Sequence, residues 1–207
     1  MTPEFQKARR HLGGRDTVLK PLIRKVGPCT LVAAGDYFAI LVRSIIAQQI
    51  STKAAKAIAE RLQKALGRGG FRPNNILKAD EATLRGAGLS ANKQRSLLDL
   101  AEKCATNVVP LRHLPEMADE EVIDALIPVR GIGRWTAEMF LIFALGRRDV
   151  LPVDDYGLRT GVQRHYGLEE LPKKAALTAI GEPWRPYRSI ATWFIWRSLG
   201  DVPQSEK

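Results

Sequence analysis

Cysteine and histidine are scarce in this 207-residue chain, which contains only two cysteines and three histidines. Cys29 and Cys104 are too few for a disulfide framework or for the four thiolate ligands of an iron–sulfur cluster. No CxxC pair occurs and the histidines are widely separated, so a structural zinc site is not predicted either. We therefore expect no iron–sulfur cluster and no disulfide framework.

Long apolar runs are also absent. No stretch is long enough to span a bilayer, and the N-terminal segment MTPEFQKARRHLGGRD has no apolar core of signal-peptide length. We expect an intracellular protein, located in the cytoplasm or nucleoid and not associated with membranes.

Acidic residues are too few to balance the basic ones. The chain has 32 Lys and Arg against 22 Asp and Glu, which gives a formal net charge of +10. Such an excess favours a polyanionic partner, because cationic side chains release condensed counterions from phosphates. A basic but inert surface explains the composition equally well, so composition alone does not decide.

The alternating pattern of β-strands is missing, and DVLPV is the only β-like run. Apolar residues instead recur at helical spacing, most clearly from Phe38 to Ile46. Ser51 and Ser90 are predicted to cap the helices that follow them. The segment WRPYRSIATWFIWRSLG is apolar on nearly all sides, which is typical of a buried helix. The sequence predicts an all-α fold.

A glycine turn separates two predicted helices in DALIPVRGIGRWTAEMF. Gly131 and Gly133 allow positive φ and leave backbone amides uncovered at the start of the second helix, which is an arrangement that binds anions. Phosphate contacts of this kind carry no base specificity. An ordinary helical hairpin would show the same pattern, and Arg134 favours phosphate binding only modestly.

The segment IPVRGIGRWTA resembles the helix-hairpin-helix element of the HhH-GPD superfamily of DNA glycosylases. GRWTAEMFLIFALGRRDVLPVDDYGLR is similar to the alkylbase branch of that superfamily, the 3-methyladenine DNA glycosylase II proteins, and LVRSIIAQQISTKAAKAI resembles the upstream signature of that branch. The resemblance covers most of residues 36–200. It implies a monofunctional glycosylase that hydrolyses the N-glycosidic bond of alkylated, 3-methyladenine-type bases during base excision repair, without AP lyase activity.

Asp154 and Asp155 lie where a linker turns into a helix. For the pair alone, N-capping is the better interpretation, because Asp is among the best N-cap residues. The resemblance places the catalytic carboxylate of the family at Asp155 and leaves Asp154 as the cap or a supporting group. A carboxylate in a partly dry cleft would stabilise the positive charge that builds on the sugar as the bond breaks.

The resemblance also implies a base pocket formed by Trp135, Trp196, Tyr156 and Met139. Strand-cutting relatives carry a nucleophilic lysine where this chain has Trp135, so water is the expected nucleophile. Indole is also the best side-chain partner for a cationic alkylated base. Trp196 fits core packing about as well as the pocket. Met139 replaces a common aromatic residue, which leaves the fine substrate preference open.

Predicted contacts to double-stranded DNA that contains alkylated bases involve the hairpin and two upstream segments. They are Gly131, Gly133, Arg134, Thr136, Gln49 and Lys93. Gln49 aligns with the residue that fills the gap left by a flipped base. Alternatively, Gln48 and Ser51 organise that turn through backbone hydrogen bonds. For Lys93, a solvated side chain is the stronger alternative to a phosphate contact.

The hairpin of the family also binds a monovalent cation through backbone carbonyls. In this sequence they are those of Ile127, Val129 and Ile132, so Na⁺ or K⁺ is expected there, although the chemistry requires no cofactor. The usual Pro-Gly of the hairpin is Arg130-Gly131 here.

The resemblance implies two helical subdomains that flank an active-site cleft. Residues 36–144 would form a helical barrel that includes the helix-hairpin-helix at about 121–145. Residues 1–35 and 145–207 would form the second subdomain, which carries the catalytic Asp, and the chain is expected to be a monomer. Two alternatives stay open: a glycosylase for oxidised bases or mispaired pyrimidines, and a non-catalytic hairpin module that binds DNA structure.

Overall fold

The computed structural model describes residues 3–200. These residues contain α-helices and short 3-10 helices and no β-strand, which confirms the predicted all-α fold; DVLPV forms no strand. The α-helices are α1 (Pro3–Arg15), α2 (Leu19–Val26), α3 (Tyr37–Ala47), α4 (Thr52–Ala65), α5 (Pro73–Lys78), α6 (Glu81–Gly86), α7 (Ala91–Ala105), α8 (Asp119–Leu126), α9 (Arg134–Phe143), α10 (Tyr156–Tyr166), α11 (Lys174–Gly181) and α12 (Arg188–Leu199). The 3-10 helices are Leu114–Glu116 and Glu182–Trp184. Within residues 3–200, no helix combines the length and the apolar character needed to cross a membrane.

The helices belong to two compact units. One unit is Ala34–Phe140, and the described part of the other consists of residues 3–33 and 141–200. The sequence analysis predicts residues 36 and 144 as the bounds of the helical barrel subdomain, which corresponds to the unit Ala34–Phe140.

The core of the unit 34–140 is built around α3. The residues of α3 that recur at helical spacing are buried, as predicted, and the helix packs against α4 and α7. Ser51 and Ser90 cap α4 and α7, because their hydroxyl oxygens accept hydrogen bonds from the backbone N–H groups of Ala54 and Lys93. These caps were predicted, and they fix where α4 and α7 begin.

The other unit is built around α12, which packs against α2 and α10. Every residue from Ser189 to Trp196 is buried, as the apolar pattern predicts. A Cβ atom at Gly161 of α10 would lie 2.2 Å from a methyl carbon of Ile195, so this close approach of the two helices requires glycine.

Asp16 is a buried carboxylate that links separate segments of the same unit. Its Oδ1 accepts hydrogen bonds from the backbone N–H groups of Val18 and Leu19, and its Oδ2 accepts from the Tyr166 hydroxyl and from Nε1 of Trp184. Burial and the hydrogen bond to Asp16 raise the pKa of Tyr166. Four donors compensate for removing this charge from water, so the buried carboxylate is tolerated.

Candidate functional site

The hairpin lies between α8 and α9, in the unit 34–140. Gly131 adopts φ +81°, whereas Gly133 has no positive φ, so only the first of the two glycines uses the left-handed region. The carbonyl oxygen of Gly133 accepts the backbone N–H of Ala137 and thereby starts α9. The first N–H groups of a helix have no partner within the helix, so they are available to an anion.

Three contacts hold the hairpin in place. The backbone N–H of Arg130 donates to Oδ2 of Asp99 on α7 at 2.7 Å, a bond that proline at this position could not form. Nε2 of Gln48 donates to the carbonyl oxygen of Gly131 at 2.8 Å. A Cβ atom at Gly131 would lie 2.9 Å from Oγ of Ser96, so the backbone packs directly on α7.

The Asp99 carboxylate is charged where it meets the hairpin. Burial acts to raise its pKa, but the hydrogen bond from the Arg130 backbone and the ammonium of Lys103 outweigh burial, so the pKa lies below its ordinary value. A charged acceptor strengthens the bond to the Arg130 N–H.

The residues that open α9 differ in exposure. Arg134 forms a two-pronged ion pair with Glu120 and a contact of 3.3 Å with Glu138, and the hydrogen bond to Glu120 raises its pKa. The side chain of Trp135 is 42% exposed, whereas Thr136 and Met139 are buried. Of the predicted site residues on this helix, the DNA-contact residue Arg134 and the pocket residue Trp135 therefore present their side chains to solvent.

The turn after α3 contains Gln48, Gln49, Ile50 and Ser51. Gln49 is exposed and adopts φ +60°, which a residue with a Cβ rarely does. Ser51 organises the turn by capping α4, whereas Gln48 bonds to the hairpin and not to its own turn. Lys93 is not simply solvated: its half-buried ammonium donates to the carbonyl oxygen of Ile46, and desolvation lowers its pKa. Its contact with a phosphate stays a prediction.

The two aspartates of the DDY segment lie in the other unit and have different environments. Asp155 is the N-cap of α10, since its Oδ1 accepts the backbone N–H of Leu158 at 2.6 Å, and it is only 7% exposed. Asp154 pairs with Lys174 at 2.8 Å and stays exposed to a substantial degree. Of the two roles left open for Asp154, the cap is excluded, because Asp155 caps α10 itself.

The Asp155 carboxylate has a second donor on the same oxygen. Nε1 of Trp196 donates to Oδ1 at 2.8 Å. Trp196 is 1% exposed and stacks on Phe143 with 5.9 Å between ring centroids, so it occupies a buried position next to the carboxylate. A Cβ atom at Gly157 would lie 3.3 Å from Oδ1 of Asp155 and 3.4 Å from Cδ1 of Trp196, so the small residue allows the tight contact. Tyr156, by contrast, is 70% exposed.

The linker that leads to Asp155 is fixed by residues that sequence reasoning missed. The carboxylate of Asp149 accepts hydrogen bonds from Arg185 and Arg188, each at 2.8 Å. The backbone N–H of Val150 donates to Oγ of Ser189 at 2.9 Å. These pairs are 36 to 39 residues apart in the chain, and no local pattern indicates them.

The predicted cation site consists of backbone carbonyls and not of side chains. Within residues 3–200, no three His, Cys, Asp or Glu side chains form a group that could hold a metal ion. The carbonyls of Ile127, Val129 and Ile132 belong to the hairpin, and that of Val129 accepts the N–H of Ile132 at 3.0 Å. A carbonyl oxygen has two lone pairs, so this bond leaves one for a cation, and oxygen ligands suit Na⁺ or K⁺. The donor set therefore fits the expected ion.

Known proteins resemble this chain over nearly its whole length. DNA-3-methyladenine glycosylase 1 of Schizosaccharomyces pombe is 36% identical over 197 residues, which cover 93% of this chain and 86% of that protein. The structure of the S. pombe 3-methyladenine DNA glycosylase Mag1 in complex with abasic DNA matches with a TM-score of 0.83 and 34% identity, covering 97% of this chain and 100% of that one.

A second solved structure is also similar to this chain. A DNA-3-methyladenine glycosidase from Bacillus halodurans matches with a TM-score of 0.85 and 33% identity, covering 96% of this chain and 90% of that one. The family model described as "HhH-GPD superfamily base excision DNA repair protein" matches residues 42–186. The chain belongs to the HhH-GPD superfamily of base excision DNA repair proteins.

Proposed function

We propose that this protein is a monofunctional DNA glycosylase that hydrolyses the N-glycosidic bond of alkylated, 3-methyladenine-type bases in double-stranded DNA, as a step of base excision repair. The names of the relatives, which are DNA-3-methyladenine glycosylases, support this assignment. The observation that carries it is the environment of Asp155. A residue that only capped a helix would need neither burial nor a second, indole donor.

Asp155 is assigned the central chemical role. Cleavage of an N-glycosidic bond builds positive charge on the sugar, and a fixed carboxylate stabilises that charge best where water is excluded. Two donors on Oδ1 hold the carboxylate in one orientation before the substrate arrives. The carboxylate also orients the water that attacks C1′, and the products are a free base and an abasic site.

The absence of strand cutting is assigned to Trp135. An amine at this position would attack the sugar and form a Schiff base, whereas indole cannot act as a nucleophile. The exposed face of Trp135 and the exposed ring of Tyr156 offer π surfaces for a cationic base. Trp196 and Met139 are buried, and their proposed part in the pocket rests on the resemblance to the family.

DNA binding is assigned to the hairpin and to the turn after α3. The amides at Gly131 and Gly133 would hold backbone phosphates, with Thr136 contributing through its backbone N–H because its side chain is buried. Na⁺ or K⁺ at the carbonyls of Ile127, Val129 and Ile132 would add positive charge beside those phosphates.

Three side chains complete the proposed DNA contacts. Arg134 would exchange part of its pairing with Glu120 for a phosphate, and Lys93 has two N–H donors besides the one bound to Ile46. Gln49 would fill the space left by the flipped base. Since the chain carries both the hairpin and the carboxylate, we infer that it acts as a monomer.

Release of free base tests this function. Duplex DNA treated with a methylating agent is incubated with the protein, and released bases are separated by chromatography. We expect 3-methyladenine in the soluble fraction and a strand that breaks only after alkali treatment. Binding of the DNA without base release would instead identify a non-catalytic hairpin module, and trapping of a covalent adduct by borohydride would contradict the monofunctional assignment.

A further inference from the structure

The turn after α3 has a conformation that needs external support. Gln49 adopts φ +60°, a region in which a Cβ atom crowds the backbone. The turn has a weak internal hydrogen bond, from the N–H of Ile50 to the carbonyl oxygen of Ala47 at 3.5 Å. Bonds to other segments must therefore contribute to holding Gln49 in this position.

Two hydrogen bonds connect the turn and the end of α3 to other segments of the unit. The Lys93 ammonium binds the carbonyl of Ile46, the residue before the last residue of α3, and so fixes the segment that enters the turn. Within the turn itself, the Gln48 side chain reaches across 83 residues of sequence to the carbonyl of Gly131. The turn is thus bonded to the hairpin that we propose to bind phosphate.

The hairpin offers Gln48 a fixed acceptor. The backbone at Gly131 lies so close to Ser96 that an added Cβ atom would be 2.9 Å from its Oγ, and the preceding N–H, that of Arg130, is bound by Asp99. All of these residues belong to the same compact unit, 34–140. Gln48 therefore links the turn after α3 to a hairpin that is itself bonded to α7, and the residue next to it in sequence, Gln49, is exposed.

We propose that Gln48 is a positioning residue that couples the hairpin to Gln49, so that capture of the DNA backbone at the hairpin determines where the Gln49 side chain enters the duplex. The proposal rests on the proposed function of the hairpin and of Gln49. Loss of the bond would leave phosphate binding in place and reduce the fraction of complexes in which the base is flipped. Loss of the bond should therefore lower the rate of excision and leave the affinity for DNA unchanged.

The variant Gln48→Met removes the donor and preserves the length of the side chain. We expect single-turnover excision at saturating protein to fall about five-fold, as suits the loss of one hydrogen bond, with affinity for abasic-analogue DNA changed less than two-fold. Gln48→Glu replaces the donor with an acceptor that repels the Gly131 carbonyl, so its loss should be at least as large. Both variants are checked for an unchanged melting temperature.

The matched control is Gln163→Met. Gln163 is also half-buried, and its Nε2 donates to the carbonyl oxygen of Glu169 at 3.1 Å, in the unit that lacks the hairpin. We expect this variant to excise at the wild-type rate. Loss of rate in Gln163→Met as large as in Gln48→Met would show a general effect of removing such bonds and would overturn the proposal.

A double-mutant cycle separates positioning from simple structural support. If Gln48 acts through Gln49, then Gln48→Met should cost little once Gln49→Ala is present, whereas independent roles give additive losses. Insertion of the Gln49 side chain is followed in parallel by the fluorescence of 2-aminopurine placed beside an abasic analogue, which requires no catalysis. Additive losses, or a fluorescence change identical in wild type and Gln48→Met, would overturn the coupling.

A failure of the proposed function and a failure of the coupling proposal would give different results. A wild-type protein that releases no base contradicts the glycosylase assignment, and the 2-aminopurine signal would still test the coupling. A wild-type protein that releases base while Gln48→Met is unimpaired contradicts only the role of Gln48.

Discussion

The hairpin and the Asp155 carboxylate are stabilised in opposite ways. The hairpin is held at its backbone, by a carboxylate on the Arg130 N–H and an amide on the Gly131 carbonyl, and its glycines remain exposed. Asp155 is held at its side chain, by a backbone N–H and an indole, and is buried. A surface that grips phosphate needs open amides, whereas a carboxylate that stabilises charge needs a dry, fixed environment. The two regions should therefore respond differently to substitution.

The largest effect is expected at the carboxylate itself. Asp155→Asn keeps the N-cap, because Asn caps helices as well as Asp, but it removes the negative charge. We predict that single-turnover excision falls on the order of 10²–10³-fold, with DNA affinity close to wild type.

The matched control is Asp154→Asn, which removes the same charge from an exposed ion pair with Lys174. It should excise within about two-fold of wild type, since exposed pairs contribute little. Equal losses in the two variants would contradict the assignment of the chemistry to Asp155.

Trp196→Phe should have the second largest effect. It preserves the ring that stacks on Phe143 and removes the N–H that orients Asp155. A hydrogen bond to a charged group contributes about 1.5–3 kcal/mol, so the excision rate should drop about 10- to 100-fold without loss of DNA binding. The control is Trp193→Phe on the same helix, whose ring packs on Phe194. A larger loss of rate in the control than in Trp196→Phe would refute the orienting role.

Gly131→Ala should affect binding and stability rather than the chemical step. A Cβ atom here is strained by the positive φ and would crowd Ser96. We expect a loss of about 1–2 kcal/mol in the free energy of unfolding and weaker DNA binding, measured by denaturation and by titration of labelled duplex.

Gly86→Ala serves as its comparison, since a Cβ atom there meets nothing within 4 Å and the φ is not positive. It should leave stability unchanged or raise it by up to about 1 kcal/mol. Similar destabilisation by both substitutions would show that the hairpin imposes no special demand on Gly131.

The smallest effect is expected for Glu120→Gln. The change releases Arg134 from its main carboxylate partner and makes it more available to a phosphate. DNA affinity should rise about two- to three-fold, since an exposed pair contributes under about 1 kcal/mol. Glu81→Gln breaks the comparable Arg85 pair on α6 and makes the same change in net charge. If both variants gain affinity equally, the gain comes from net charge and not from Arg134.

Local sequence rules predict the helices, whereas contacts between residues far apart in the sequence determine the candidate functional site. The spacing of apolar residues in α3 and the hydroxyls of Ser51 and Ser90 act within one or two helical turns, so the sequence alone predicts those helices and their starts. Resemblance to the family predicts the catalytic role of Asp155, which stays a prediction. The bond from Trp196 to Asp155 spans 41 residues, and that from Gln48 to Gly131 spans 83. No sequence period encodes such pairs, because tertiary packing brings them together.

The capping of α10 by Asp155 rather than by Asp154 has the same origin. Both residues are good N-caps in isolation, so the sequence could not decide between them. The register of α10 decides, because it begins at Tyr156 and makes Asp155 the residue whose side chain reaches the free N–H of Leu158. The same position brings Asp155 to the indole of Trp196.

The most direct test of the central claim compares two abasic analogues bound by wild type and by Asp155→Asn. One analogue is a pyrrolidine, whose protonated nitrogen mimics the charge of the developing sugar cation, and the other is the neutral tetrahydrofuran. A site complementary to the transition state binds its cationic mimic more tightly. We predict that wild type prefers the pyrrolidine by at least about ten-fold, which corresponds to about 1.4 kcal/mol, and that Asp155→Asn binds both analogues equally. Equal binding by wild type, or a preference that survives in Asp155→Asn, would contradict the claim that Asp155 stabilises the charge on the sugar.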